Sequence, residues 1–128
     1  MHKGFLIWAS ALGALGVTLG AFGAHKLKQL VSPEAVATFQ TGVTYQFYHV
    51  FALLALAILY TYIPGNLAQW AGRCFITGVI LFSGSLYLIT TFKISGAEIP
   101  KAVGILTPIG GVFFIAGWIC LLLAVIKK

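Results

Sequence analysis

Four stretches of this chain run for about 20 residues each without a charged side chain, and that pattern decides what the chain can fold into. They are Gly4–Ala24, Val43–Ile63, Cys74–Phe92 and Ala102–Ile126. A helix rises about 1.5 Å per residue, so about 20 residues cross the roughly 30 Å hydrocarbon core of a bilayer. Lipid offers no partner to backbone N–H and C=O groups, so such a stretch crosses it as a helix that bonds itself. The expectation is an all-α membrane protein of four transmembrane helices, forming a single domain over residues 1–128.

Composition closes off the alternatives. Of 128 residues, 60% are hydrophobic and 8% charged, against about 25% charged in soluble domains. A water-soluble fold of this size leaves much of its area wet and has nowhere to hide so much apolar surface. The first stretch follows Met1-His2-Lys3 and resembles a leader. It is longer than a signal-peptide core of about 7–15 residues, and three more spans follow, so it reads as a retained helix.

The net charge is +6, but its distribution argues against nucleic acid as a partner. Lys3, Lys26, Lys28, Arg73, Lys93, Lys101, Lys127 and Lys128 sit at the ends of the apolar runs, where their side chains reach phospholipid headgroups. Membrane lipids are therefore the expected partners, with a homo-oligomer left open. Cys74 and Cys120 fall inside apolar segments and read as packing residues rather than a disulfide framework.

The connections differ in character. Pro64-Gly65-Asn66 is a turn signal, followed by Trp70 as an interfacial anchor. Residues 93–101 read as a short polar loop. Ser32-Pro33-Glu34 supplies an N-cap, a proline at the first helical position and an acid in the first turn. Ala35, Val36, Phe39 and Val43 then recur at helical spacing. A straight helix from Pro33 to Ile63 would be about 45 Å long, so the reading is a short amphipathic helix between the first and second spans, with a bend at Gly42. Four spans put both termini on one side, here side A. Basic residues divide four on each side, and the reading places both termini in the cytoplasm.

Gly13, Gly16, Gly20 and Gly23 follow steps of three and four and line one face of the first helix. Gly110 and Gly111 repeat the device in the fourth, between Gly104 and Gly117. Small residues let backbones approach closely in lipid, so these are expected helix-packing positions.

Polar groups inside hydrocarbon carry the most information about function. Thr41, Tyr45 and His49 fall four apart in the second helix, flanked by Gln46 and Tyr48. His25 ends the first helix, Ser83, Ser85 and Tyr87 lie in the third, and Thr107 opens the fourth. All belong to the half nearer the opposite side B. His25, Thr41, Tyr45, Gln46, His49, Ser83, Ser85, Tyr87 and Thr107 thus form a candidate polar pocket, or else a set of interhelical hydrogen bonds worth about 1 kcal/mol each. His2 is a terminal residue without evident role.

Catalytic signatures are missing. There is no G-x-S-x-G, no H-E-x-x-H and no phosphate-cradling glycine loop. Glu34 and Glu98 are the only acids, and neither lies within a span, which leaves no carboxylate pair for acid–base work. This also separates the chain from small multidrug transporters, which rely on an embedded glutamate. Two histidines on neighbouring helices, His25 and His49, are the one arrangement that suits a haem iron, and no cysteine or acid completes a metal site beside them. The expectation is no catalytic residue, no metal and no cofactor.

Gly20-Ala-Phe-Gly-Ala-His25, Thr41-Gly-Val-Thr-Tyr-Gln-Phe-Tyr-His49, Phe82-Ser-Gly-Ser-Leu-Tyr87, Thr107-Pro-Ile-Gly-Gly111 and Gly117-Trp118 resemble the domain-of-unknown-function 423 family of small multi-pass bacterial membrane proteins. The resemblance covers nearly the whole chain in five motifs. It implies the membrane architecture and brings no activity with it. The functional expectation is a structural or binding protein that accommodates a lipid or small amphiphile in its polar half. The alternatives are a small oligomeric transporter or channel and, less favoured, a membrane enzyme or haem protein.

Overall fold

The computed structural model describes all residues, Met1–Lys128. Its four long helices are α1 (Lys3–Ala24), α2 (Pro33–Leu59), α3 (Asn66–Ser95) and α4 (Lys101–Ile126), each long and apolar enough to cross a membrane. This is the all-α, four-span architecture that the apolar runs require.

Local chemistry sets the helix ends. Ser32 Oγ accepts from the Ala35 N–H at 3.3 Å, with Pro33 and Glu34 in the first turn of α2. At the start of α1, His2 Nδ1 accepts from the Phe5 N–H at 3.1 Å. His2 is therefore the N-cap of α1, which corrects the view of it as a residue without a role. Its ring also stacks on Phe5 at 3.8 Å. Gly96 ends α3 in the left-handed region at φ 72°, where the Ala97 N–H reaches back to the Phe92 carbonyl at 3.1 Å.

The amphipathic segment differs from its expectation. Residues from Pro33 to Gly42 are not a separate helix but the opening turns of α2, which runs unbroken through Gly42. Gly42 faces α3, where a Cβ would come within 2.9 Å of Tyr87, so its missing side chain serves helix contact rather than a bend. The connection from α1 holds only a single 3₁₀ turn, Lys26–Gln29, pinned by the fully buried Leu27. At 27 residues α2 is about 40 Å long, more than the hydrocarbon core requires, and Glu34 stands in its first turn at the side B end.

The helices pair as α1 with α2 and α3 with α4, and α2 meets α3 between the pairs. Half of the most apolar part of α2 is buried (50%), against 39% for α3, 22% for α1 and 17% for α4, so α2 is the central element. Core side chains gather at three depths: Phe5, Leu56 and Phe75 towards side A, Leu12, Val50 and Phe114 in the middle, and Leu27, Phe39 and Val43 towards side B. The N-terminal amine donates to Thr61 Oγ1 at 2.9 Å, and Lys127 and Lys128 line a cleft with Thr61. Both termini thus lie at one end of the bundle.

Candidate functional site

The candidate polar side chains sort into four small sets, with Gln46 and His49 at the middle core layer of Leu12, Val50 and Phe114. At the centre is Gln46, 1% exposed, on the inner face of α2. Its amide donates to the Leu12 carbonyl of α1 at 2.7 Å, and its Oε1 accepts from the Tyr87 hydroxyl of α3 at 2.6 Å. One side chain thereby ties three helices together.

His49 lies one turn nearer the midplane. Its Nδ1–H donates to the Tyr45 carbonyl at 2.7 Å, and its Nε2 accepts from the Trp118 indole N–H at 3.1 Å. A single neutral tautomer satisfies both bonds. The ring lies flat on Phe114, with centroids 3.5 Å apart and planes 7° apart.

Ser83 donates to the Gly42 carbonyl at 2.7 Å, joining α3 to α2. Ser85 donates to the Phe82 carbonyl at 2.8 Å, and its oxygen lies 2.6 Å from the Thr107 hydroxyl. The single Ser85 proton goes to the carbonyl, which leaves Thr107 as donor across the α3–α4 interface.

Three candidates stand outside these sets. Thr41 is exposed and donates only to the Ala37 carbonyl, at 3.0 Å. Tyr45 is exposed, packs its ring against Phe82, and its hydroxyl bonds to nothing in the chain. His25 closes α1 at the side B end, whereas His49 lies roughly 24 Å along α2 from Pro33. The two histidines therefore do not face one another across a haem-sized gap. No buried side-chain nitrogen or oxygen lacks a hydrogen-bond partner.

Two participants escaped the sequence reading. Trp118 is the donor that fixes His49, and its signal was depth: tryptophan belongs at the membrane–water interface, and this one sits mid-span. Thr90, 1% exposed, returns its hydroxyl to the Leu86 carbonyl at 2.9 Å.

Beside the network, α3 and α4 leave a groove of about 410 Å³ open to the outside of the bundle. Ile80, Leu81, Leu88 and Leu106 supply apolar walls, and Ser85, Tyr87 and Thr91 the polar side. Its floor passes a π-helical turn at Val79–Ser83, where the widened backbone offsets the faces of α3 before and after it.

The packing glycines are unequal. A Cβ at Gly16 or Gly23 would come within 2.9 Å of Phe47 or Phe39, whereas at Gly13 and Gly20 it would meet Val50 and Val43 at an ordinary 3.5 Å. At Gly110 it would overlap the backbone of Phe82, and at Gly111 it would touch the Phe82 ring at 4.0 Å.

The model of the family described as "Protein of unknown function (DUF423)" matches residues 19–111. The chain belongs to the DUF423 family. A UPF0382 membrane protein of Staphylococcus aureus is 39% identical over 125 residues, 98% of this chain and 97% of its own length. The UPF0382 membrane protein YwdK of Bacillus subtilis is 37% identical over 126 residues, 98% of each chain. The UPF0382 inner membrane protein YgdD of Escherichia coli is 35% identical over 122 residues, 95% of this chain and 88% of its own. No solved structure matches. The similarity extends through all four helices, and the relatives are named membrane proteins, so this DUF423 chain is an integral membrane protein.

Proposed function

We propose that this protein is a membrane binding protein that seats a lipid or small amphiphile in the groove between α3 and α4. The observation carrying this reading is that the groove sets the exposed Thr91 hydroxyl beside an apolar wall at the outer surface of the bundle. Thr91 is exposed and donates its proton to the Tyr87 carbonyl at 3.0 Å, so its oxygen keeps lone pairs for an incoming donor, whereas the buried Ser85 is engaged by the Phe82 carbonyl and by Thr107. The ligand is an amphiphile with a hydroxyl or amide donor in its polar portion. From Thr91 near the side B end to Ile80 is about 16 Å of helix, room for an acyl chain. Behind the groove, Thr107 and Gln46 hold Ser85 and Tyr87 in place.

Gly84 provides the test, because it lines the groove and a Cβ there would meet nothing within 4 Å. Gly84→Leu is expected to fill the groove, leave the thermal melt unchanged and remove the amphiphile that native mass spectrometry detects on wild-type protein. An amphiphile retained equally by both proteins, or none on wild-type protein, would refute the reading.

A further inference from the structure

We infer that α2 carries a dimerisation seam, on which a second copy of this chain docks within the membrane. Thr41, Thr44, Tyr48, Phe51, Ala55 and Ile58 recur at steps of three and four, and all are exposed. A strict three–four alternation keeps a stripe in line along a helix, the geometry by which two helices pair at a shallow crossing angle. The seam shares no residue with the α3–α4 groove.

The chemistry of the stripe sets it apart from the other outward faces. α1 and α4 turn residues such as Leu15, Val17, Ile109 and Val112 outward, which acyl chains solvate well. α2 turns out Tyr48 at 59% exposure and Tyr45 beside it at 40%, with Thr44 between Thr41 and Tyr48 on the same side. Thr41 returns its proton to its own helix, whereas the hydroxyls of Thr44, Tyr45 and Tyr48 bond to nothing in the chain. Of these, Tyr48 stands deepest. Tyr48 adjoins His49 and Val50, and Val50 belongs to the middle of the three core layers, with Leu12 and Phe114. Hydrocarbon at that depth offers no hydrogen-bond partner, and leaving a hydroxyl unpaired there is costly.

A second copy meets the requirement where a lipid does not. A two-fold axis along the membrane normal returns every residue to its own depth, so each hydroxyl meets hydroxyls of its own level. A hydroxyl both donates and accepts, which makes a threonine–tyrosine stripe complementary to itself. The stripe is uncharged, since the basic residues stand at the helix ends, and two copies therefore approach without repulsion. A phospholipid keeps its polar groups at the surface and presents only acyl chain at the depth of Tyr48.

Cross-linking in native membranes tests the seam. In a Cys74→Ala/Cys120→Ala background, Thr44→Cys and Phe51→Cys are expected to form disulfide-linked dimers on mild oxidation. Val17→Cys on α1 and Val112→Cys on α4, each in a residue 64% exposed, are expected to remain monomeric. Thr44→Val/Tyr48→Phe keeps the shape of the stripe and removes its hydroxyls. It is expected to raise the dimer dissociation constant roughly tenfold in lipid nanodiscs, with an unchanged thermal melt. Cross-linking as strong at Val17→Cys or Val112→Cys, or wild-type protein monomeric at every protein-to-lipid ratio, would overturn the proposal. So would monomers carrying a lipid that Thr44→Val/Tyr48→Phe releases.

Discussion

Tyr87 and Gln46 show how one polar contact organises this bundle. Without the Tyr87 hydroxyl, the Gln46 Oε1 is buried with no donor, and an orphaned acceptor costs more than the bond itself contributes. Tyr87→Phe is therefore expected to destabilise the protein by about 1–2 kcal/mol, measured by unfolding in mixed micelles. Gln46→Leu removes both members of the problem on the α2 side. Added to Tyr87→Phe it should lose less than the two single changes sum to, a coupling of about 1 kcal/mol. Additive losses would show that the two groups do not act together. Spacing alone singled out these residues, since Gln46, His49, Ser83, Ser85 and Thr107 fall within apolar runs whatever the rotation of their helices. It did not reveal the pairings. Whether Ser83 meets Gly42 or Ser85 meets Thr107 depends on how each helix is turned about its axis, and the π turn at Val79–Ser83 changes that turn partway along α3. The depth of Trp118 marked it as unusual, but its partner depended on how α2 and α4 are turned towards each other.

Helix contacts follow the same division between pattern and partner. The four α1 glycines were legible as one face, yet they fall into two alternating pairs seven residues apart, tight at Gly16 and Gly23 and relaxed at Gly13 and Gly20. The difference lies on α2, where phenylalanines face the first pair and valines the second. No spacing within α1 could supply that. The neighbours Gly110 and Gly111 give the sharpest contrast, because one abuts the Phe82 backbone and the other only its ring. A backbone cannot step aside as a side chain can. Gly110→Ala is expected to lower stability by about 1–3 kcal/mol, the range for overpacking. Gly111→Ala is expected to stay within about 0.5 kcal/mol of wild type. Thermal melts of the two variants check this, and equal losses would argue against close approach at Gly110. The length of α2 was misjudged for a related reason. A glycine and a change of hydropathy at Gly42 suggested a bend, but contact with Ser83, Leu86 and Tyr87 carries the helix straight past.

For the whole molecule, the four-span build was legible because nothing but lipid accommodates four uncharged stretches of this length. The order of the helices around the bundle was not, because in lipid the outward faces are as apolar as the inward ones and periodicity does not mark the core. The same apolar uniformity leaves orientation to the charges. One end of the bundle carries Lys3, Arg73, Lys127 and Lys128, with Arg73 stacked over Trp70 at 5.3 Å, and the other carries Lys26, Lys28, Lys93 and Lys101. Acids add little to the insertion rule, so Glu34 and Glu98 at the second end bias it only slightly. We propose that both termini face the cytoplasm. Reporter fusions at Met1 and at Lys128 are expected to agree with each other and to read cytoplasmic. With charges balanced four to four, orientation should also be easy to disturb. Changing Lys3, Lys127 and Lys128 to glutamine leaves Arg73 alone against four lysines and is expected to shift a large fraction of molecules to the inverted orientation. Fusions on opposite sides would remove a span from the fold. Wild-type fusions that both read external would reverse the orientation, and a charge-depleted variant that stays in place would show that something other than the basic residues sets it.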